Sequence, residues 1–131
     1  MSARRGILIV DDEAILLLAI RQELRLALGA GYVFETAMSA QAGLDAIEDL
    51  SRKGVEVALI ISDWLMPGMR GDEFLKIVRI GHPEVKLVML SGHAEAEQMQ
   101  NLAAEVQLFA SLGKPYRKNE LSEIAKRALI A

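Results

Sequence analysis

The stretch VALIISD at residues 57–63 decides the fold. Its first five residues are apolar without interruption, and it ends in a serine and an aspartate. Apolar residues on both faces are typical of a strand that is covered on both sides, as in a parallel sheet. Because the run ends at Ser62 and Asp63, the sequence places a carboxylate at the carboxyl end of a buried strand.

The same pattern recurs along the chain, since short runs of β-forming residues alternate with longer helical patterns. Gly29 and Gly31 are predicted to end the first helix, and Ser39 and Asn119 to cap the second and the last. Strands are predicted at about 7–10, 32–36, 57–61, 86–90 and 107–112, and helices at about 14–28, 40–51, 72–80, 94–105 and 120–131. Five strand–helix repeats with right-handed connections predict a doubly wound α/β sandwich around a parallel sheet.

The composition restricts the class of protein. The 131 residues fit one domain, and 52% of them are hydrophobic, which suffices for one core. The absence of cysteine excludes disulfides, cysteine-based zinc sites and thiol nucleophiles. A net charge of −3 argues against a nucleic-acid or anionic-membrane surface, and no apolar run approaches the roughly 20 residues that span a bilayer. We therefore expect a cytoplasmic protein without membrane contact.

Polar residues follow the predicted strands at the carboxyl ends, where an open parallel sheet binds its ligands. They are Asp11, Asp12, Asp63, Ser91 and Lys114. Taken alone, each has an ordinary explanation, because aspartate and serine favour caps and turns and a lysine can simply be solvated. Taken together, three converging carboxylates repel one another, and Mg²⁺ relieves that repulsion. A lysine and a hydroxyl nearby suit a phosphoryl group, so the set predicts a magnesium site at which Asp63 accepts a phosphoryl group.

These residues and their surroundings resemble the receiver domain of two-component response regulators. The four matching parts, in order, are Asp11-Asp12, DWLMPGMRG at residues 63–71, Ser91-Gly92 and Lys114-Pro115. The resemblance covers essentially the whole of residues 1–131, as one receiver domain with no output domain in this chain. It implies a CheY-like, flavodoxin-type (βα)5 fold with five parallel strands in the order 2-1-3-4-5.

The resemblance also implies a role for each acidic residue. Asp63 is the phosphoacceptor and a metal ligand. Asp12 binds Mg²⁺ directly, and Asp11 helps to hold the ion, partly through water. The backbone carbonyl of Leu65 supplies a further metal ligand.

Further implications of the resemblance concern the phosphoryl group and the partners. Ser91 bonds one phosphoryl oxygen, Lys114 pairs with another, and the peptide bond between Lys114 and Pro115 is cis. The donor is a sensor histidine kinase or a histidine phosphotransfer protein. The signal then passes to a downstream protein target or to an output domain, with no nucleic-acid binding through this domain. A homodimer through the face of the fourth helix, fifth strand and fifth helix is one option.

One part of the family pattern differs here. Receiver domains usually carry Tyr or Phe three residues before the lysine, and this position is Ser111. The nearest aromatic residue, Phe109, is expected to belong to the core, so the responding face needs another side-chain reporter. Leu65 and His93 lie where the family tunes the lifetime of the phosphoryl group, and Leu65, which cannot orient a water, favours a longer-lived state.

Two other functions fit parts of the sequence. A phosphohydrolase with an aspartyl-phosphate intermediate needs a second aspartate two residues after the nucleophile, and Leu65 holds that position. A pseudo-receiver that only makes protein contacts does not need the complete set of Asp63, Ser91 and Lys114, and Mg²⁺ binding separates the two cases. We expect a switch that catalyses only its own phosphotransfer and dephosphorylation, rather than a turnover enzyme.

Overall fold

A computed structural model describes residues 4–92, 95–117 and 119–131, in which strands and helices alternate. The strands are β1 (Arg4–Val10), β2 (Tyr32–Ala37), β3 (Val55–Asp63), β4 (Lys86–Ser91) and β5 (Ala110–Gly113). The helices are α1 (Ala14–Leu28), α2 (Ala40–Arg52), α3 (Gly71–Gly81), α4 (Ala96–Val106) and α5 (Glu120–Ile130). All strand pairs are parallel, and their order is β2-β1-β3-β4-β5. The predicted fold class and strand order are confirmed.

The core lies in two layers, one on each face of the sheet. In β1, Leu8 and Val10 belong to a cluster built with α2, α3 and α4, whereas Ile7 and Ile9 belong to a second cluster built with α1 and α5. All four side chains are at most 1% exposed. Burial on both faces is the physical reason why the central strands are continuously apolar in sequence. Within the described ranges, no helix has the length and apolarity that crossing a bilayer requires.

The fifth strand begins later than the sequence predicts. Residues predicted as its start instead close α4, because Gln107 takes a left-handed backbone (φ 54°) and Leu108 donates its N–H to the carbonyl of Ala103. A left-handed residue at this position ends a helix and satisfies its last carbonyls. β5 therefore starts at Ala110. The predicted start of α4 at Ala94 lies outside the described residues.

The two predicted caps have different outcomes. Ser39 caps α2 as predicted, since its Oγ accepts the N–H of Ala42 at 3.1 Å. Asn119 occupies the cap position of α5 as predicted, but its side chain makes no capping bond. Side-chain capping needs an extended backbone at the cap residue, and Asn119 has a φ of 75°. Its carbonyl instead accepts the N–H of Glu123 at 3.0 Å.

Candidate functional site

Three carboxylates meet at the carboxyl edge of the sheet. Asp11 and Asp12 directly follow β1, and Asp63 is the last residue of β3, which is the parallel neighbour of β1. One oxygen from each of Asp11, Asp12 and Asp63 lies within 4.8 Å of the others. The convergence predicted from the spacing of the strands is therefore present in the structure.

Asp11 is the most buried of the three, with 1% of its surface exposed. Its Oδ1 accepts the N–H of Glu13 at 2.9 Å, whereas its Oδ2 is buried without a hydrogen-bond partner. Burial raises the pKa of Asp11, and the charges of Asp63 and Asp12 raise it further, while the Glu13 N–H and Lys114 act in the opposite direction. A buried oxygen of this kind is costly unless something binds it.

Lys114 reaches the acidic cluster from the end of β5. Its Nζ lies 2.9 Å from Oδ1 of Asp63 and 3.6 Å from Oδ2 of Asp11. Burial alone lowers the pKa of Lys114, but the bond to Asp63 and the charges of both aspartates outweigh it, so that the pKa is raised. The lysine is thus held in its charged form against Asp63.

The backbone fixes Lys114 next to the end of β4. Its N–H donates to the carbonyl of Ser91 at 2.7 Å, and the Lys114–Pro115 peptide bond is cis, as predicted. Ser91 itself is 7% exposed and pairs in register with Gly113. A hydroxyl and an ammonium group therefore stand at adjacent strand ends, beside the carboxylates.

The loop after β3 holds the Asp63 side chain. The N–H of Trp64 donates to Oδ1 of Asp63 at 3.0 Å, and the N–H of Gly71 donates to the carbonyl of Trp64 at 2.7 Å. Gly71 approaches the strand end so closely that a Cβ on it would lie 2.0 Å from the Asp63 carbonyl oxygen. Neither Gly71 nor the Trp64 N–H has a predicted role from the sequence, although a glycine between an acidic strand end and a helix is a signal of close backbone approach.

The tuning and switch positions lie apart from these contacts. Leu65 is 60% exposed, and Ser111 is exposed on β5. Phe109 precedes β5 and packs against the core cluster of α1 and α5, as expected for a core residue. His93 lies outside the described residues.

Comparison with known proteins gives consistent matches. A family model described as "Response regulator receiver domain" matches residues 7–126. The chain is 33% identical over 130 residues to "Sensor kinase CckA" of Brucella abortus, covering 98% of this chain and 13% of the kinase. It is 31% identical over 128 residues to "DNA-binding transcriptional regulator NtrC" of Escherichia coli, covering 96% of this chain and 25% of the regulator.

A solved structure agrees with these matches. The fold is similar to a CheY-like response regulator receiver domain protein from Methanospirillum hungatei, with a TM-score of 0.82 and 30% identity. The superposition covers 96% of this chain and 94% of that one. The chain thus spans 13% and 25% of the two curated relatives, but nearly all of this structural neighbour.

Proposed function

Because the chain belongs to the response regulator receiver domain family of two-component signalling, we propose that it is a phosphorylation-dependent switch that accepts a phosphoryl group on Asp63. One observation carries the assignment: the Asp63 carboxylate ends a central strand within 2.9 Å of Lys114 and among two further carboxylates. A charged lysine in contact with a carboxylate nucleophile suits transfer of a dianionic group, for which positioning and charge neutralisation supply most of the catalysis.

The transfer step is a displacement at phosphorus. Oδ1 of Asp63 is held by the Trp64 N–H and by Lys114, and this orients the carboxylate. An oxygen of Asp63 attacks the phosphorus of a phosphohistidine, the P–N bond breaks, and the imidazole nitrogen leaves with the electron pair. Lys114 then pairs with one phosphoryl oxygen, and the Ser91 hydroxyl donates to another.

The acidic cluster fits a magnesium ion. Mg²⁺ prefers one or two carboxylates together with water and phosphate oxygens. The buried Oδ2 of Asp11, which lacks a hydrogen-bond partner, is the kind of oxygen that such an ion or its water would satisfy. Asp12, Asp63 and the carbonyl of Leu65 would complete the protein ligands, with Asp11 acting in part through water. When bound, the ion supplies positive charge that offsets the carboxylates and the incoming phosphoryl group.

The partner that donates the phosphoryl group is a sensor histidine kinase or a histidine phosphotransfer protein. A donor that reaches Asp63 must also touch the surface around the carboxyl edge. Ile15 and Leu18, in the first turns of α1 just after Asp12, are 84% and 56% exposed. Exposed aliphatic side chains beside a polar site suit contact with a partner protein. The net charge of −3 gives no support for nucleic-acid binding through this domain, or for a membrane surface. A sequence without cysteine suits a reducing compartment such as the cytoplasm.

The output follows from a shift between two conformations of the domain. The chain matches short parts of a sensor kinase and of a transcriptional regulator, so the reader of the signal is either an output domain or a separate protein. Residues 1–131 form the receiver domain in this proposal. The exposed side chains of α4 are mostly polar, so a homodimer through α4, β5 and α5 would be reversible rather than obligate.

The lifetime of the phosphoryl group is set in part by Leu65. Its side chain is 60% exposed two residues after Asp63 and offers no hydrogen bond to a water. The same residue argues against a phosphohydrolase, which needs a carboxylate there. We expect Leu65→Asn to shorten the lifetime of the phosphorylated protein several-fold, measured as loss of label after the donor is removed. An unchanged lifetime would assign Leu65 to the surface of the loop alone.

The proposed function is tested by incubating the protein with acetyl phosphate and Mg²⁺ and measuring intact mass. We expect a single acid-stable, base-labile phosphoryl group on the wild type and none on Asp63→Ala. Asp49→Ala, which removes an exposed carboxylate from α2, is the matched control and should be labelled like the wild type. Equal labelling of Asp63→Ala would refute the assignment. A wild type that neither binds Mg²⁺ nor takes up the label would favour the pseudo-receiver.

A further inference from the structure

The side chain of Arg79 in α3 binds the C-terminal end of α4. The Arg79 guanidinium donates to the carbonyl of Val106, the last residue of α4, at 2.7 Å and to that of the C-cap residue Gln107 at 3.3 Å. It also donates to the carbonyls of His82 at 3.0 Å and Pro83 at 2.9 Å, in the loop after α3. Arg79 therefore joins two connections of the fold and satisfies helix-end carbonyls that α4 itself leaves open.

Further contacts hold the same end of α4. Lys76 of α3 lies 3.2 Å from Glu105 of α4, and the N–H of Gln107 bonds back to Ala103. Two residues further on, the N–H of Phe109 donates to the carbonyl of Leu87, which attaches the chain to the sheet. The end of α4 is thus tied to α3, to itself and to β4.

Among the residues that the structure describes, the N-terminal end of α4 has fewer contacts of this kind. Glu95 occupies the cap position, and its side chain makes no capping hydrogen bond. Glu95 is only 6% exposed, and its Oε2 is buried without a hydrogen-bond partner. A buried carboxylate oxygen without a donor destabilises the arrangement that contains it. This end also lies beside the phosphoacceptor pocket, since Glu95 Oε2 is 3.7 Å from where a Cβ of Gly92 would stand, and Gly92 follows Ser91.

We propose that α4 is a helix with one fixed and one movable end, in which Arg79 is the positioning residue that confines the phosphorylation response to the N-terminal half. The inference rests on the proposed function, because the Ser91 hydroxyl is proposed there to donate to a phosphoryl oxygen, and Ser91 leads through Gly92 toward this end. When the segment of Ser91 and Gly92 shifts, the end at Glu95 shifts with it, and its carboxylate can reach water. The end held by Arg79 stays in place, so the helix tilts rather than translates.

The test is hydrogen exchange by mass spectrometry on the full chain, with and without beryllium fluoride and Mg²⁺ as a phosphoryl mimic. In the wild type we expect exchange in residues 95–101 to change by roughly fivefold or more and exchange in residues 102–109 by less than about twofold, since local opening is set by local contacts. Equal changes in both halves of α4 would overturn the proposal.

Arg79→Met removes the donors and keeps an apolar stem. We expect the mimic-induced change to spread into residues 102–109, while Arg79→Lys, with a single ammonium group, gives an intermediate pattern. Arg127→Met, on the exposed side of α5, is the control and should retain the wild-type pattern. If Arg79 has only a structural role, Arg79→Met should raise exchange in residues 102–109 equally with and without the mimic. That outcome overturns the proposal. If Arg79→Met fails to fold, Arg79→Lys replaces it in the test, and a wild-type exchange pattern in Arg79→Lys also overturns the proposal.

The fluorescence of Trp64 distinguishes a failure of the Arg79 proposal from a failure of the proposed function. Trp64 is the one tryptophan in the sequence, and its N–H bonds the Asp63 carboxylate. A fluorescence change on adding the mimic, with uniform exchange along α4, overturns the positioning role of Arg79 and leaves the proposed function standing. If the mimic changes neither fluorescence nor exchange, the proposed function and this inference both fail.

Discussion

Charged side chains at the two edges of the sheet differ in how fully their hydrogen bonds are satisfied. At the amino edge, the Arg79 guanidinium has four backbone carbonyls as partners, and Arg5 donates to the carbonyl of Leu129. At the carboxyl edge, three carboxylates meet, Lys114 lies close to those of Asp63 and Asp11, and Oδ2 of Asp11 is buried without a hydrogen-bond partner. The complete set of partners of Arg79 is typical of a charge that holds the fold together, whereas the oxygen of Asp11 without a hydrogen bond fits a charge arranged for a ligand.

The largest difference is expected between glycine substitutions at the two ends of α3. Gly71→Ala places a Cβ 2.0 Å from the Asp63 carbonyl oxygen, so the backbone must move, and we expect a loss of about 3 kcal/mol or more in the free energy of unfolding. Phosphoryl uptake should fall as well, because Asp63 is displaced. Gly81→Ala at the amino edge meets nothing within 4 Å and should change neither quantity. Denaturant unfolding and mass spectrometry measure both, and a fully active Gly71→Ala would contradict the geometry.

The second effect concerns a lysine at each edge. We expect Lys114→Met to reduce the rate of uptake from acetyl phosphate by about 100-fold, since it removes the charge that faces the phosphoryl oxygens. Lys86→Met, at the start of β4, removes a lysine that lies 5.9 Å from the centre of the Phe109 ring and should leave the rate unchanged. Similar rates for the two variants would show that position at the carboxyl edge does not matter for the lysine.

The third effect is a gain of stability. The pKa of Asp11 is raised in the folded state from its ordinary 3.8, so the folded protein holds this proton more tightly than the unfolded chain. Stability is therefore lost as pH rises through the interval between the two pKa values. Without Mg²⁺ at pH 7, Asp11→Asn should stabilise the protein by about 1 kcal/mol, as relief of strain at a functional site commonly does.

The gain from Asp11→Asn should vanish at low pH, and Mg²⁺ should stabilise the variant less than the wild type. Asp49→Asn is the control, because Asp49 lies 2.9 Å from Lys53 on the surface and has a partner to lose. We expect it to destabilise slightly or not at all. Thermal unfolding as a function of pH and Mg²⁺ measures these differences, and destabilisation by Asp11→Asn would show that Asp11 is a structural charge.

The smallest effect tests whether the position of a polar group at the carboxyl edge or its existing hydrogen bond decides its role. Ser39 lies at the carboxyl edge, but its Oγ already accepts the N–H of Ala42. Ser39→Ala should therefore cost about 1 kcal/mol of stability and leave uptake unchanged. Ser51→Ala, at an exposed position near the other end of α2, should cost less. Reduced uptake in Ser39→Ala would mean that any group at this edge takes part, whatever its partners.

The sequence predicted the features that depend on strand order. Asp11, Asp63, Ser91 and Lys114 lie at or directly after the carboxyl ends of strands, and parallel pairing brings these ends together. What it could not predict depends on the path of the backbone between elements. Gln107 was assigned to a strand because its neighbours are β-forming, yet it ends α4 in a left-handed conformation.

The role of Arg79 had no sequence signal either. Its partners are carbonyls of the backbone, 27 and 28 residues away in Val106 and Gln107, and every residue type carries a carbonyl. Gly71 was quoted as part of a motif, but its contact with the Asp63 carbonyl becomes visible only when the loop closes on the strand. The chemistry at the strand ends was therefore easier to predict than the contacts that position it.

Asp63, rather than Asp11 or Asp12, is the proposed phosphoacceptor. The most direct test is to phosphorylate the protein with acetyl phosphate and Mg²⁺, reduce the acyl phosphate with borohydride, and map the modified residue by peptide mass spectrometry. We predict reduction to homoserine at position 63 alone, and none when Mg²⁺ is chelated. Modification at position 11 or 12, or labelling that persists without the metal, would contradict it.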